Sequence, residues 1–63
     1  MKVSDYYPIK GDFAELLSDA QMSARTDWEV QFTEDMVNRF DEYGMDMFIS
    51  QSQLENLERI VAQ

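Results

Sequence analysis

The side chains of this sequence that could do chemistry are carboxylates. The 63 residues include 13 Asp or Glu and 5 Lys or Arg, with no His and no Cys. Two carboxylates can act as general acid and general base when a pocket raises the pKa of one of them. A chain of 63 residues buries too small a core to enclose such a pocket. We therefore expect no enzymatic activity and no catalytic residue.

The residue types also disfavour metal and cofactor chemistry. Without His and Cys the chain has no zinc ligand set, thiol nucleophile or disulfide. A calcium loop with Gly44 at its sixth position would have Arg39 at its first, where an oxygen ligand is required. Gly11 and Gly44 are the only glycines, so a glycine-rich phosphate loop is absent. We expect no metal site and no cofactor.

The negative charge is concentrated in one segment. The formal net charge is −8, and residues 26–46 contribute −6 because they hold seven acids and one Arg. In a helix, Asp27, Glu34 and Asp41 would recur along one line, since they are seven residues apart, and Asp35 and Glu42 would form a second row beside it. The predicted partner-binding acidic face consists of Asp27, Glu34, Asp35, Asp41, Glu42 and Asp46.

Two interpretations of this face remain open. It is either a solvated helix surface that serves solubility, or a surface for a basic partner. Almost no Lys is interleaved with the acids, so the face carries like-charge repulsion that a mixed surface avoids. Direct binding to nucleic acid is disfavoured, because contacts to phosphates need Lys and Arg. The partner we expect is a basic nucleic-acid-binding protein or complex.

The local signals predict an all-α fold of one domain, residues 1–63, with an extended arm at 1–11 and a helical core at 12–63. Pro8 directs Tyr7 to extended geometry, so we expect no helix in the arm. Thr26 and Glu29 form a capping box, while Ser50 with Gln53 or Ser52 with Glu55 could cap the last helix. The predicted helices are 12–23, which begins at Asp12 with Glu15 at capping-box spacing, 27–43, which ends before Gly44, and 51–62.

Helical spacing also predicts the core. It consists of Phe13, Leu16, Leu17, Ala20 and Ala24 in the first helix, of Phe32, Met36, Phe40 and Tyr43 flanked by Trp28 and Val37 in the second, and of Leu54, Leu57, Ile60 and Val61 in the third. The connector 45–49 is either a loop or a single extended stretch, with Met47, Phe48 and Ile49 anchored on the core. Tyr6 and Tyr7 are possible interface anchors, one covering the core and the other exposed.

One stretch resembles a known module. The pattern Trp28-Glu29-x-x-Phe32, followed by Arg39-Phe40-x-x-Tyr43-Gly44 and Ser50-x-x-Gln53-Leu54-x-x-Leu57-x-x-Ile60, is similar to a two-helix module of small bacteriophage proteins and of phage and plasmid proteins of DNA metabolism. Many versions of that module carry more basic residues around the second helix. This chain carries acids there, a departure that disfavours direct DNA binding.

In size and charge alone, the chain also resembles the small acidic inhibitors that phages use against host defence, including DNA-mimic anti-CRISPR and anti-restriction proteins. The resemblance implies a DNA-mimic inhibitor that occupies a basic nucleic-acid-binding surface, such as that of a defence nuclease complex. The alternative is an accessory module that docks on phage replication, recombination or packaging machinery. That alternative predicts exposure of Trp28, Tyr7 or Phe48 and binding that tolerates salt.

The expected location is the cytoplasm, which is the host cell cytoplasm if the protein is phage-encoded. Apolar runs are a few residues long, whereas a membrane span needs roughly 20. The stretch Met1–Asp5 lacks the apolar core of a signal peptide. The chain is expected to be a monomer or a homodimer, since small cores often require a partner's surface.

Overall fold

The all-α prediction is confirmed by the computed structural model, which describes residues 1–63. In chain order the elements are α1 (Val3–Tyr6), α2 (Lys10–Ser23), α3 (Asp27–Tyr43), a 3-10 turn (Gly44–Asp46) and α4 (Gln51–Val61). Helix α2 packs against both α3 and α4. None of these helices combines the length and the apolar sequence that crossing a bilayer requires.

Helices α3 and α4 begin where their capping residues predict. The Thr26 hydroxyl accepts a 3.1 Å hydrogen bond from the Glu29 backbone N–H, and the Glu29 carboxylate accepts one of 3.2 Å from the Thr26 N–H. Ser50 and Gln53 form the same reciprocal pair at 3.1 and 3.0 Å. Ser50, rather than Ser52, is therefore the cap of α4, which ends at Val61, one residue before the predicted end.

The predicted start of the first long helix is wrong. Helix α2 begins at Lys10, two residues before Asp12, and its N-cap Ile9 provides no side-chain hydrogen bond. The Asp12 backbone N–H already donates to the Ile9 carbonyl oxygen at 3.1 Å, so Asp12 and Glu15 form no capping box. Asp12 instead lies in the first turn, where the helix dipole favours an acid. Gly11 lies inside the helix and does not end an arm.

The N-terminal arm also differs from the prediction, because it contains the one-turn helix α1. The Asp5 carboxylate accepts a 2.8 Å hydrogen bond from the Lys2 N–H, and Val3 is fully buried. The hydrogen bond to the Asp5 carboxylate and the burial of Val3 together stabilise this turn. The spacing of apolar residues in the sequence does not predict it. The argument from Pro8 is confirmed at Tyr7, whose φ of −127° and ψ of 94° are extended.

The connector after α3 contains both a turn and an extended segment. Gly44 has φ 60° and begins the 3-10 turn. The following residues pair with the N-terminus: the Val3 N–H donates to the Met47 carbonyl at 2.9 Å, and the Ile49 N–H donates to the Met1 carbonyl at 2.8 Å. Side chains alternate sides in extended backbone. Met47 and Ile49 are therefore buried, while Phe48 is 67% exposed and does not anchor the connector as predicted.

The core is a single cluster around Phe13. The Phe13 ring is fully buried, 5.0 Å from the Phe40 ring and 5.4 Å from the Tyr7 ring between centroids. The buried apolar residues are Val3, Phe13, Leu17, Ala20, Met36, Phe40, Met47, Ile49, Leu54, Leu57 and Ile60. Of the remaining predicted core residues, Leu16, Ala24, Phe32, Val37 and Val61 are half-buried against this cluster.

The buried face of α3 is rotated relative to the prediction. Its buried residues are Thr33, Met36 and Phe40. At about 100° per residue, this face is turned by roughly 40° from the one centred on Phe32, Met36, Phe40 and Tyr43. Thr33 can be buried because its hydroxyl donates to the Glu29 and Val30 carbonyl oxygens, at 2.9 and 3.1 Å. As a result Tyr43, which was predicted in the core, is 57% exposed. Trp28, which was predicted at the flank of the core face, is 55% exposed.

Candidate protein-binding surface

The predicted acidic residues are all exposed, and five of the six lie on the side of α3 away from the core. Asp27, Glu34 and Asp41 follow one another at a rise of about 10.5 Å per step, because they are seven residues apart. Asp35 and Glu42 lie beside them. Helix α3 presents these five carboxylates without an ion pair of their own, since the one ion pair of the chain lies elsewhere. We call these five residues the acidic face.

Asp46, the sixth predicted residue, lies apart from the acidic face. It belongs to the 3-10 turn, and its Oδ1 is 3.6 Å from the Lys2 Nζ. The ion pair links the N-terminal segment to the turn after α3, and it offsets part of the charge of Asp46. Both side chains are substantially exposed, so the pair contributes little to stability. The acidic face therefore consists of the five residues on α3.

Glu29 is the acid of α3 that has a structural role. Its Oε1 accepts 2.8 and 3.2 Å hydrogen bonds from the backbone N–H groups of Arg25 and Thr26, and its Oε2 accepts one of 2.7 Å from the Gln63 amide. The hydrogen bond from the Arg25 N–H is the largest cause that lowers the pKa of this carboxylate, and those from Thr26 and Gln63 add to it. Glu29 caps α3 and holds the C-terminus beside it, on a different side from the acidic face.

One edge of the acidic face carries exposed aromatic residues. The Trp28 and Phe32 rings stack with centroids 5.0 Å apart and planes 7° apart, and Phe32 is half-buried. Tyr43 and Phe48 lie near the other end of α3, where they line a depression of about 340 Å³ with Arg39, Asp46 and Met47. The sequence predicts these rings as core or core flank, whereas the rotation of α3 and the alternation at Phe48 bring them to the surface.

The two tyrosines predicted as interface anchors are both half-buried and pack against the core. Tyr7 lies edge-on to Phe13. Burial raises the pKa of the Tyr7 phenol, and the charge of the Glu58 carboxylate raises it further. Neither Tyr6 nor Tyr7 is the freely exposed ring that the sequence predicts. The exposed aromatic residues of this protein are instead Trp28, Tyr43 and Phe48.

A second depression, of about 310 Å³, lies between α2 and α3. Leu17, Val37 and Phe40 form its apolar lining, and Lys10 and Asp41 contribute charged groups. No group of three carboxylates converges closely enough to hold a metal ion. The outer side of α3 therefore combines carboxylates that form no ion pair with exposed aromatic rings, and it is the candidate protein-binding surface.

Comparison with known proteins adds no relative: no family model matches the chain, and no curated protein or solved structure shows significant similarity to it. The similarity of residues 28–60 to phage two-helix modules stays a hypothesis.

Proposed function

We propose that this protein is a non-enzymatic binding protein whose acidic face occupies a basic nucleic-acid-binding surface of another protein. The observation that carries the proposal is the set of five exposed carboxylates along one side of α3, none of them in an ion pair. A protein that needs acids only for solubility can scatter them among cations. Here the net −6 of residues 26–46 is placed on one helix and the turn that follows it.

The charge density of the face favours one strand of nucleic acid as the structure that it imitates. Helix α3 has 17 residues, so its length is about 25 Å at 1.5 Å per residue. Five carboxylates over that length give one charge per roughly 5 Å, compared with about 3.4 Å along one DNA strand and about 1.7 Å for the duplex. A groove that binds a single strand is therefore the best match in charge, and we propose that the partner has one.

A phage inhibitor of a host defence nuclease complex is the form of this function that the size and acidity of the chain favour. Such complexes hold nucleic acid in basic channels, and an acidic helix competes for them by charge. The association should be fast and should weaken with salt, because charges more than about 10 Å apart are largely screened at 0.1 M.

The test is affinity capture from a bacterial host lysate at low and at high salt, followed by competition on each captured protein with labelled single-stranded and duplex oligonucleotides. We expect a nucleic-acid-binding protein that is lost at high salt and from which the chain displaces the single strand. Capture of no such protein, or capture without displacement, would contradict the proposal.

The chain offers a matched pair of variants for this test. Glu34→Gln, Asp41→Asn and Glu42→Gln together remove three charges from the acidic face. Glu15→Gln, Asp19→Asn and Glu55→Gln make the same three changes at exposed positions of α2 and α4. Both variants have a net charge of −5. We expect the first to lose displacement and the second to keep it, with helical circular dichroism unchanged in both. Equal losses would indicate an effect of net charge alone.

The alternative function, an accessory module that docks on replication, recombination or packaging machinery, is favoured by a different observation. Trp28 and Phe48, two of the three residues whose exposure that function predicts, are more than half exposed. Docking through them depends on apolar contact, so it should persist at high salt. A captured partner that is retained at high salt and lost with Phe48→Ala would support the accessory module over the inhibitor.

A further inference from the structure

The extended part of the connector has one edge that is paired and one that is open. Phe48 faces Lys2 in an antiparallel β-bridge, and the two hydrogen bonds of this bridge are formed by the residues on either side of the pair. In such a pair the N–H and C=O groups of the two central residues point away from each other. Those of Phe48 therefore point away from the N-terminal segment, along an edge that we call the Phe48 edge.

The two outer edges of this bridge differ in their hydrogen bonds. On the N-terminal side the Lys2 N–H donates to the Asp5 carboxylate at 2.8 Å, and the Lys2 carbonyl oxygen accepts from the Asp5 N–H at 2.9 Å. The N–H and the carbonyl oxygen of Phe48 have no hydrogen-bond partner in the protein. Backbone groups without a partner lie where water reaches them, because burying them unpaired costs free energy. An open strand edge of this kind is a template for another extended chain.

The Phe48 edge is one residue long. The next residue on the same edge is Ser50, whose N–H donates to the Gln53 side chain and whose carbonyl oxygen accepts from the Leu54 N–H, both at 3.0 Å. In the other direction the extended backbone ends at Asp46, the last residue of the 3-10 turn. The edge therefore suits a two-fold related copy, because Phe48 opposite the same residue of a second copy exchanges both N–H···O=C hydrogen bonds.

Exposed aromatic rings lie beside this edge. Phe48 and Tyr43 are both more than half exposed, and with Met47 they line the depression of about 340 Å³. Residues that face each other across antiparallel strands have Cβ atoms about 4.5–5.5 Å apart on the same face. Two-fold pairing therefore places two Phe48 rings side by side, and it covers apolar surface that otherwise contacts water.

The negative charge of the chain does not oppose this contact. Beside the edge, Lys2 is paired with Asp46, and Arg39 lines the depression without an ion pair, so two cations accompany one acid. Tyr43 follows Glu34 by nine residues, which at about 100° per residue places the two on opposite sides of α3. Since Asp27 and Asp41 share the side of Glu34, this line of acids points away from a second copy.

We propose that the Phe48 edge joins two copies of this chain in a symmetric dimer. The N-terminal segment and the connector of each copy then form a four-stranded antiparallel ribbon. This inference goes beyond the proposed function, and it leaves the line of acids on α3 uncovered in both copies. Two hydrogen bonds and a few rings make a small interface, and small interfaces are weak. We therefore expect the dimer at millimolar and not at micromolar protein.

The direct test is backbone amide exchange of the intact protein, measured by NMR at micromolar and at millimolar protein. The Phe48 amide should exchange several-fold more slowly at the higher concentration, because it donates across the dimer. The Ile49 amide is the internal control, since it already donates to the Met1 carbonyl oxygen at 2.8 Å and should be protected alike at both concentrations. Sedimentation equilibrium over the same range should show the dimer directly.

Two substitutions of one residue separate its backbone from its ring. Phe48→Ala removes the ring and keeps the N–H, whereas Phe48→Pro removes both. Proline is compatible with the fold here, because the Phe48 N–H has no partner to lose and Met47 already has the extended ψ of 133° that precedes proline. We expect Phe48→Ala to weaken association several-fold and Phe48→Pro to abolish it, with helical circular dichroism unchanged in both.

The matched control is Trp28→Ala, which removes another exposed ring of α3. Trp28 is fifteen residues before Tyr43, about 22 Å along the helix, so this variant should associate like the wild type. Equal exchange of the Phe48 amide at both concentrations would overturn the inference, and so would dimers of Phe48→Pro as stable as those of the wild type. Protection of that amide only after a captured partner is added would also overturn it, because the occupant is then an extended segment of that partner.

Discussion

The side-chain amide of Gln63 donates a 2.7 Å hydrogen bond to the Glu29 carboxylate, 34 residues earlier in the chain. The same carboxylate accepts two backbone hydrogen bonds at the start of α3. Glu29 therefore joins the cap of the longest helix to the end of α4. A capping box is a local signal that the sequence contains, whereas the partner at Gln63 depends on how the helices pack.

The three hydrogen bonds to Glu29 predict a specific pH dependence. Because they lower the pKa of Glu29 in the folded state, the stability that Glu29 contributes is present above its unfolded pKa of about 4.3. It is lost as the pH falls through the lower folded value. The variant Glu29→Gln should therefore lose less stability than the wild type on acidification through this range, as measured by urea unfolding at a series of pH values.

The control for this prediction is Glu55→Gln, which removes an exposed carboxylate from α4. It should follow the wild-type dependence. If Glu29→Gln and Glu55→Gln change the loss of stability on acidification equally, the hydrogen bonds to Glu29 do not contribute to that loss.

Replacement by Ala should affect stability strongly at Phe13 and little at Phe48. Phe13 is fully buried between Tyr7 and Phe40, so Phe13→Ala should cost about 3–5 kcal/mol. Domains have roughly 0.05–0.15 kcal/mol of stability per residue, which for this chain is about 3–9 kcal/mol. Phe13→Ala should therefore remove roughly a third or more of that stability. Phe48→Ala should change stability by less than about 0.5 kcal/mol, because the ring is exposed. Thermal unfolding followed by circular dichroism measures both, and comparable losses would contradict the exposure of Phe48.

The two glycines also predict effects of opposite sign. Gly44 has φ 60°, a region that side chains disfavour, so Gly44→Ala should destabilise by about 1–3 kcal/mol. Gly11 lies within α2 with open space around it. Gly11→Ala should stabilise by about 0.4–1 kcal/mol, because it restricts the unfolded chain without strain. The midpoints of thermal unfolding should move in opposite directions. A loss of stability in Gly11→Ala would indicate that this residue lies outside the helix, as the sequence suggests.

Tyr7 predicts a loss of stability at alkaline pH. Burial and the nearby Glu58 carboxylate raise the pKa of the Tyr7 phenol in the folded state. The stability that its protonated form contributes is complete below the unfolded pKa of about 10. It is lost as the pH rises through the higher folded value. Tyr7→Phe should reduce this alkaline loss, which denaturant unfolding above neutral pH measures. Glu58→Gln should reduce the raised pKa of Tyr7, and NMR signals of the Tyr7 ring would report it.

Parts of the candidate surface could be predicted from the sequence because helical spacing places side chains directly. Asp27, Glu34 and Asp41 share a line on any helix that spans them, and the Thr26 cap and Gly44 define that helix. The exposure of Trp28 and Tyr43 could not be predicted. An amphipathic pattern with Trp28, Phe32 and Tyr43 fits a core face equally well, and the choice depends on what packs against α3.

The sequence by itself determined the all-α class, the starts of α3 and α4 and the positions of the acids along α3, because caps and helical periodicity act within a few residues. Tertiary structure decided which side of α3 is buried. Thr33 satisfies its hydroxyl on the helix backbone, so it can face the core, and the helix turns Trp28 and Tyr43 outward. It also decided the exposure of Phe48, since pairing of the connector with Met1 and Val3 places Met47 and Ile49 inside. Contacts between elements that are distant in sequence decide which side chains are buried, so local patterns in the sequence cannot specify them.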